Sequence, residues 1–231
     1  MKDNPIIVAL DVNSAADARA LVKRIGRQSN FYKVGLELFT AAGMDFVREL
    51  TGAGKRVFLD LKLYDIGETV KRTVAVVAES GVEFLSIHSV TQVMRAALEG
   101  RGPSPLNLLA VSVLTSFDQR DVEDLGYSCT LSQLVVDRVR QAMECGMDGV
   151  IGSPLEAQAI RALTGPDMIL VTPGVRSAGA AKGDQKRVAT PAEAIRNGAD
   201  YVVIGREITR DADPAKAIQQ ILEDIQTVTH A

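Results

Sequence analysis

A chain of 231 residues, 46% hydrophobic and 24% charged, is long enough to bury one sizeable core and short for two, so a single domain over residues 1–231 is expected. Its 26 basic and 29 acidic residues are interspersed and give a net charge of -3, which excludes the one-signed stripe that a nucleic acid or a membrane surface requires. Two cysteines, Cys129 and Cys145, are too few and too far apart for a disulfide framework or a zinc site. The apolar run near the N-terminus is too short for a signal peptide or a membrane span, so a cytoplasmic protein with reduced thiols is expected.

Taken in order, eight short apolar runs read as strands: 6–10, 31–34, 56–61, 84–88, 108–114, 149–152, 168–172 and 201–205. Longer stretches with apolar residues at helical spacing lie between them, such as Ala18, Leu21, Val22 and Ile25 after the first run, and Leu131, Leu134, Val135 and Val139 after the fifth. Two boundaries, Ser153-Pro154-Leu155-Glu156 and Thr190-Pro191-Ala192-Glu193, combine an N-cap, a proline at the first helical position and a capping-box glutamate. Gly26, Gly81, Gly146 and Gly198 stand where helices should stop. Strand and helix alternate throughout, which implies a parallel sheet covered by helices. Periodicity alone leaves a doubly wound open sheet as the competitor, but eight units in this length suit a (β/α)8 TIM barrel, for which about 250 residues is typical. The longest irregular stretch, 173–190, is rich in glycine, alanine and charge and reads as a mobile loop over an active site.

In a barrel of this kind the reacting groups stand at the C-terminal ends of strands. Asp11 follows the first run, Lys33 lies within the second, and Asp60 and Lys62 end the third. Residues two apart in a strand share a face, so Asp60 and Lys62 are expected to point together into the mouth while Leu61 packs behind. A solvated rim is the bland reading of such charges. Their convergence on apolar strands, with opposite signs alternating, favours a site instead. A second constellation ends the last two strands. Gly205-Arg206 and Gly174-Val175-Arg176 offer close backbone approach and two guanidinium groups, the chemistry of a phosphate site, and barrels commonly place one there. Gln185, on the loop, is able to donate and accept hydrogen bonds as a ring amide requires. Thr115 closes the fifth run. His88 is read as a rim histidine, and with His230 the only other histidine, neither a metal cluster nor a Ser-His-Asp arrangement is expected.

Asp60-Leu61-Lys62-Leu63-Tyr64-Asp65, read as Asp-x-Lys-x-x-Asp, together with Thr172-Pro173-Gly174-Val175-Arg176 and Ile204-Gly205-Arg206, resembles the orotidine 5'-monophosphate decarboxylase family. The resemblance runs from residues 6–11 to the last helix. Asp-x-Lys-x-x-Asp is shared with related sugar-phosphate decarboxylases and synthases; Lys33 stands where those relatives carry an acidic residue that helps bind magnesium, and so argues against that metal. Two segments depart from the family: 63–68, where many members read Phe-His-Asp-Ile-Pro-Asn, and His88-Ser89, where they read His-Ala. Neither touches the proposed reacting groups.

The resemblance implies a cofactor-free and metal-free loss of carbon dioxide from orotidine 5'-monophosphate, giving uridine 5'-monophosphate in pyrimidine biosynthesis. Lys62 would be the proton donor within an array of Lys33, Asp60 and Asp65. Asp11 and Lys33 would hold the ribose hydroxyls, and Thr115 would meet the pyrimidine edge. Arg206 and the Gly205 amide would bind phosphate with Arg176 beside them and Gln185 closing over it. Asp65, with Ile66 and Thr69, would reach the site of a second subunit, which implies a homodimer with shared sites. The rivals are a magnesium-dependent sugar-phosphate decarboxylase or aldolase, and a catalytically silent phosphate-binding barrel.

Overall fold

The computed structural model describes residues 4–177 and 189–229. Its elements alternate along the chain: β1 (Ile6–Ala9), α1 (Ala15–Ile25), β2 (Phe31–Gly35), α2 (Leu36–Gly52), β3 (Arg56–Leu63), α3 (Gly67–Ala78), β4 (Phe84–His88), α4 (Thr91–Arg101), β5 (Asn107–Val111), α5 (Gln119–Asp124), α6 (Leu131–Cys145), β6 (Gly149–Ile151), α7 (Ala157–Thr164), β7 (Ile169–Thr172), α8 (Pro191–Arg196), β8 (Tyr201–Ile204), α9 (Arg206–Thr209) and α10 (Pro214–Thr229). The strands are parallel, each pairs with the next, and β8 returns to β1, closing a (β/α)8 TIM barrel. Closure removes both edges, which decides against the open sheet.

The strands are nearly continuous apolar runs because both their faces are covered. One face packs outward against the helices; the other fills the barrel, and its lower layer is aromatic. The rings of Phe31, Phe58, Phe84 and Tyr201 meet edge to face, with centroids 5.2 to 6.1 Å apart. Arg56 closes the floor beneath them. Its guanidinium stacks 4.1 Å from the Phe31 ring centroid, donates two bonds of 2.6 Å to Glu83, and donates a third of 2.8 Å to the Tyr201 hydroxyl.

Side-chain caps set several helix starts. Thr130 and Thr190 each head a reciprocal capping box, the second with Pro191 in the first turn. The parallel expectation at Ser153 is corrected: residues 154–156 form a turn, α7 begins at Ala157, and the Ser153 hydroxyl accepts from Leu155 instead of from a helix amide. The fifth strand is likewise shorter than its apolar run, ending at Val111, so Thr115 lies four residues beyond it.

Candidate functional site

Alternation along each strand carries the aromatic floor up into a charged mouth. Counting by twos, Phe31 leads to Lys33, Phe58 to Asp60, Phe84 to Ser86, and Ala9 to Asp11. Leu61 packs outward against the helix-facing core, as the period of two requires.

The four charges form one chain of contacts. Lys33 Nζ lies 2.8 Å from Asp11 Oδ1 and 3.7 Å from Asp60 Oδ2, and Lys62 Nζ lies 2.8 Å from Asp60 Oδ1. The Lys33 and Asp60 side chains are only 10% and 12% exposed, whereas the two ends of the chain, Asp11 at 52% and Lys62 at 31%, are more open, and all four line one cavity. Burial is the largest influence on Asp60 and opposes its ionisation. Lys33 and Lys62 together, with hydrogen bonds from Lys62 and Ser86, outweigh it and hold the carboxyl below its ordinary range.

The strand is irregular where this pair stands. Leu59 is opposite Leu85 but Leu63 is opposite Ile87, so β3 spends four residues where β4 spends two. Lys62 absorbs the bulge with a φ of 49°, the left-handed region, which costs a residue with a Cβ about 1–2 kcal/mol. Gly35 makes room for Lys33. A Cβ there would lie 2.7 Å from Lys33 Nζ and 3.2 Å from Asp11 Oδ1.

These groups open into a cavity of about 590 Å³ at the C-terminal ends of the strands. Its lining also includes Thr115 and Ser116 after β5, Gly174 and Arg176 after β7, and Gly205 and Arg206 after β8. The expected residues Asp11, Lys33, Asp60, Lys62, Thr115, Arg176, Gly205 and Arg206 therefore share one space. Asp65, Ile66 and Thr69 do not line it. Asp65 Oδ1 accepts from the Ile66 amide at 2.6 Å, Ile66 is 75% exposed, and Thr69 lies in the first turn of α3. Gln185, and with it most of the 173–190 loop, lies outside the described residues. Among the described residues no three His, Cys, Asp or Glu side chains come together as a metal-binding group.

Sequence reasoning missed Ser86, Glu37, Thr209 and Arg210. The last three line the cavity mouth. Ser86 is fully buried, donates to Asp60 Oδ1 at 2.8 Å and accepts from the Lys62 amide at 2.8 Å. Its signal was present, since it is the one hydroxyl on the inward face of Phe84-Leu85-Ser86-Ile87-His88. His88 ends that face, half-buried, with its ring 5.4 Å from that of Tyr64. Burial, then the nearby Arg138 and Lys62 cations, lower its affinity for a proton.

The chain as a whole is similar to known proteins. A sequence model described as the orotidine 5'-phosphate decarboxylase / HUMPS family matches residues 4–221. The chain is 50% identical over 222 residues to an orotidine 5'-phosphate decarboxylase of Bradyrhizobium sp. strain ORS 278, covering 96% of this chain and 91% of that one. It is 47% identical over 223 residues to one from Caulobacter sp. strain K31, covering 96% and 97%. Among solved structures it is similar to the crystal structure of orotidine 5'-phosphate decarboxylase from Lactobacillus acidophilus, with a TM-score of 0.84 and 34% identity over 96% of this chain and 99% of that one.

Proposed function

Because this chain belongs to the orotidine 5'-phosphate decarboxylase / HUMPS family, we propose that it is the carboxy-lyase that converts orotidine 5'-monophosphate to uridine 5'-monophosphate, with Lys62 protonating C6. The observation that carries the reading is the Lys62 ammonium, held 2.8 Å from a buried carboxylate and lining a cavity that Arg176 and Arg206 also line.

Loss of carbon dioxide from C6 leaves an electron pair in an sp² orbital that the ring π system does not delocalise. A fixed ammonium aimed at that carbon stabilises the developing charge electrostatically, and then supplies the proton that neutralises it. Preorganisation is what gives such an interaction its worth, and here it has visible causes. Asp60 fixes the Lys62 ammonium, Lys33 fixes Asp60, and Asp11 fixes Lys33. Asp60 then lies beside the departing carboxylate, and Asp11 and Lys33 meet the ribose hydroxyls. The apolar residues beneath, Phe58, Val111, Ile151 and Val203, give the ring a low-dielectric floor on which these charges act strongly. Arg206, the Gly205 amide and Arg176 take the phosphate, and Thr115 faces the pyrimidine edge. Phosphate contacts made far from C6 supply binding energy that positions the reacting carbon.

Asp65, Ile66 and Thr69 are assigned to the site of a second copy, making the working unit a homodimer. Support comes from the exposed apolar surface of Tyr64 and Ile66, which flanks Asp65 and does not line the chain's own cavity. The substrate is a small polar nucleotide and none of the described helices is long and apolar enough to cross a membrane, which agrees with a cytoplasmic enzyme.

The test is direct. Purified protein mixed with orotidine 5'-monophosphate should remove the orotate-ring absorbance, and Lys62→Ala should keep affinity for uridine 5'-monophosphate while turnover falls by at least about a thousandfold. Near-normal turnover in that variant would end the assignment of Lys62.

A further inference from the structure

We infer that Ser86 is a positioning residue for the decarboxylation, holding both ends of Lys62 through one hydrogen-bonded ring. The inference rests on the assignment of Lys62 as proton donor and adds to it the means by which the lysine is held.

Between Leu59 and Leu63, β3 runs two residues longer than the segment of β4 opposite it, so Asp60, Leu61 and Lys62 leave the regular ladder with β4. The Lys62 amide is thereby deprived of a strand carbonyl. It donates instead to the Ser86 hydroxyl at 2.8 Å. A hydroxyl has one proton, and a backbone N-H only donates, so the Ser86 proton is committed elsewhere: to Asp60 Oδ1, also at 2.8 Å. That same oxygen receives the Lys62 ammonium at 2.8 Å. The ring closes on itself, running from the Lys62 amide through Ser86 and Asp60 to the Lys62 ammonium. Every hydrogen bond in it has only one possible direction.

Two features show that the ring acts on geometry as well as on burial. Lys62 occupies a left-handed conformation, with a φ of 49°, that a side-chain-bearing residue keeps only when its surroundings over-determine it. Ser86 is fully buried on the inward face of β4, away from solvent. A lysine carries its ammonium on a long, flexible stem, and this ring removes that freedom at the amide and at the ammonium together.

The experiment is the pair Ser86→Ala and Ser86→Cys, measured beside Lys62→Ala in the full chain with orotidine 5'-monophosphate. Ser86→Ala removes the ring with little change of volume. Its kcat should fall by roughly tenfold to a hundredfold, the loss expected when a reacting group is misplaced by a fraction of an ångström, while affinity for uridine 5'-monophosphate stays within about threefold. Ser86→Cys keeps a weak donor and acceptor in place and should fall between the two. A kcat within about twofold of the parent in Ser86→Ala overturns the inference. So does an equal loss of kcat and product affinity, or a cysteine variant no better than alanine. If Ser86→Ala shows no cooperative thermal transition, Ser86→Cys decides alone: reduced kcat with unchanged product affinity supports the ring, and unchanged kcat overturns it. Lys62→Ala separates the two levels. Turnover surviving in that variant removes the assignment of Lys62 itself, whereas a dead Lys62→Ala beside a fully active Ser86→Ala removes only the role of Ser86.

Discussion

Gly35→Ala isolates the placement of one ammonium group. Backbone strain does not enter, because Gly35 has a φ of -96°, open to any residue. The added methyl would stand 2.7 Å from Lys33 Nζ, and ordinary contact begins near 3.5 Å, so the ammonium must retreat by about 0.8–1 Å. At an effective dielectric of about 20, stretching the 2.8 Å contact with Asp11 to about 3.8 Å forfeits roughly 1.5 kcal/mol. Asp11 is 52% exposed, so screening brings this below about 1 kcal/mol, and the melting temperature should fall by no more than about 4 °C. Catalysis is less forgiving. Lys33 also holds Asp60, and a misplacement of about 1 Å commonly costs up to a hundredfold, so kcat/KM for orotidine 5'-monophosphate should drop by about tenfold to a hundredfold. Steady-state ultraviolet assays and thermal melts measure both. In a Lys33→Ala background the second substitution should change little, since the group it displaces is gone. A kcat/KM within about twofold of the parent, or equal losses in both backgrounds, would refute the reasoning.

Arg206→Ala should weaken binding of uridine 5'-monophosphate by tenfold or more, about 1.4 kcal/mol, and leave affinity for uridine nearly unchanged; calorimetry with the two ligands decides, and equal losses contradict the phosphate assignment. Mixing Lys62→Ala with Asp65→Ala protein should restore activity absent from either alone, because a mixed dimer rebuilds one site of two from intact halves, and no recovery after subunit exchange counts against shared sites. His88 gives a pH signature. Its folded-state pKa lies below the ordinary value, chiefly through burial, so the stability it contributes is complete above the ordinary histidine range and lost as pH falls toward the folded-state value. Melting temperatures at pH 7.5 and pH 5 should therefore diverge more for the parent than for His88→Gln, and identical slopes would count against this.

How far the sequence carried the reading depends on what kind of information each feature needs. Eight apolar runs separated by helical stretches sufficed for the barrel, because strands covered on both faces cannot hide their composition. The period of two correctly put Asp60 and Lys62 in one mouth with Leu61 behind them. The same period failed to show the bulge between Leu59 and Leu63, since register belongs to two strands at once and one strand's residues do not record it. Ser86 was missed for that reason: a serine in an apolar strand looks like a tolerated small residue until its neighbour's amide turns out to need an acceptor. Arg56 reads as an ordinary strand-start cation until Glu83 and Tyr201 are seen beneath the barrel. The local motif at Ser153 misled in the opposite direction, because a capping box predicts a helix start only where the chain has room to begin one.

Asp60 and Lys62 would be a liability as a free-standing pair. Charges withdrawn from water are stabilised only when every remaining hydrogen-bonding position is satisfied. Here the strand that carries them deviates from its ladder, and the deviation frees a main-chain amide that the serine answers while turning its own proton to the carboxylate. A regular strand would have given the Lys62 amide to a neighbouring carbonyl and left the Ser86 oxygen without that donor. The cost of one left-handed residue is thus tied to the placement of the ammonium: relaxing Lys62 to an extended conformation would relieve the backbone and release the side chain together. For that reason the irregularity in β3 belongs to the site as much as the charges do, and substitutions that straighten the strand should stabilise the fold while lowering turnover.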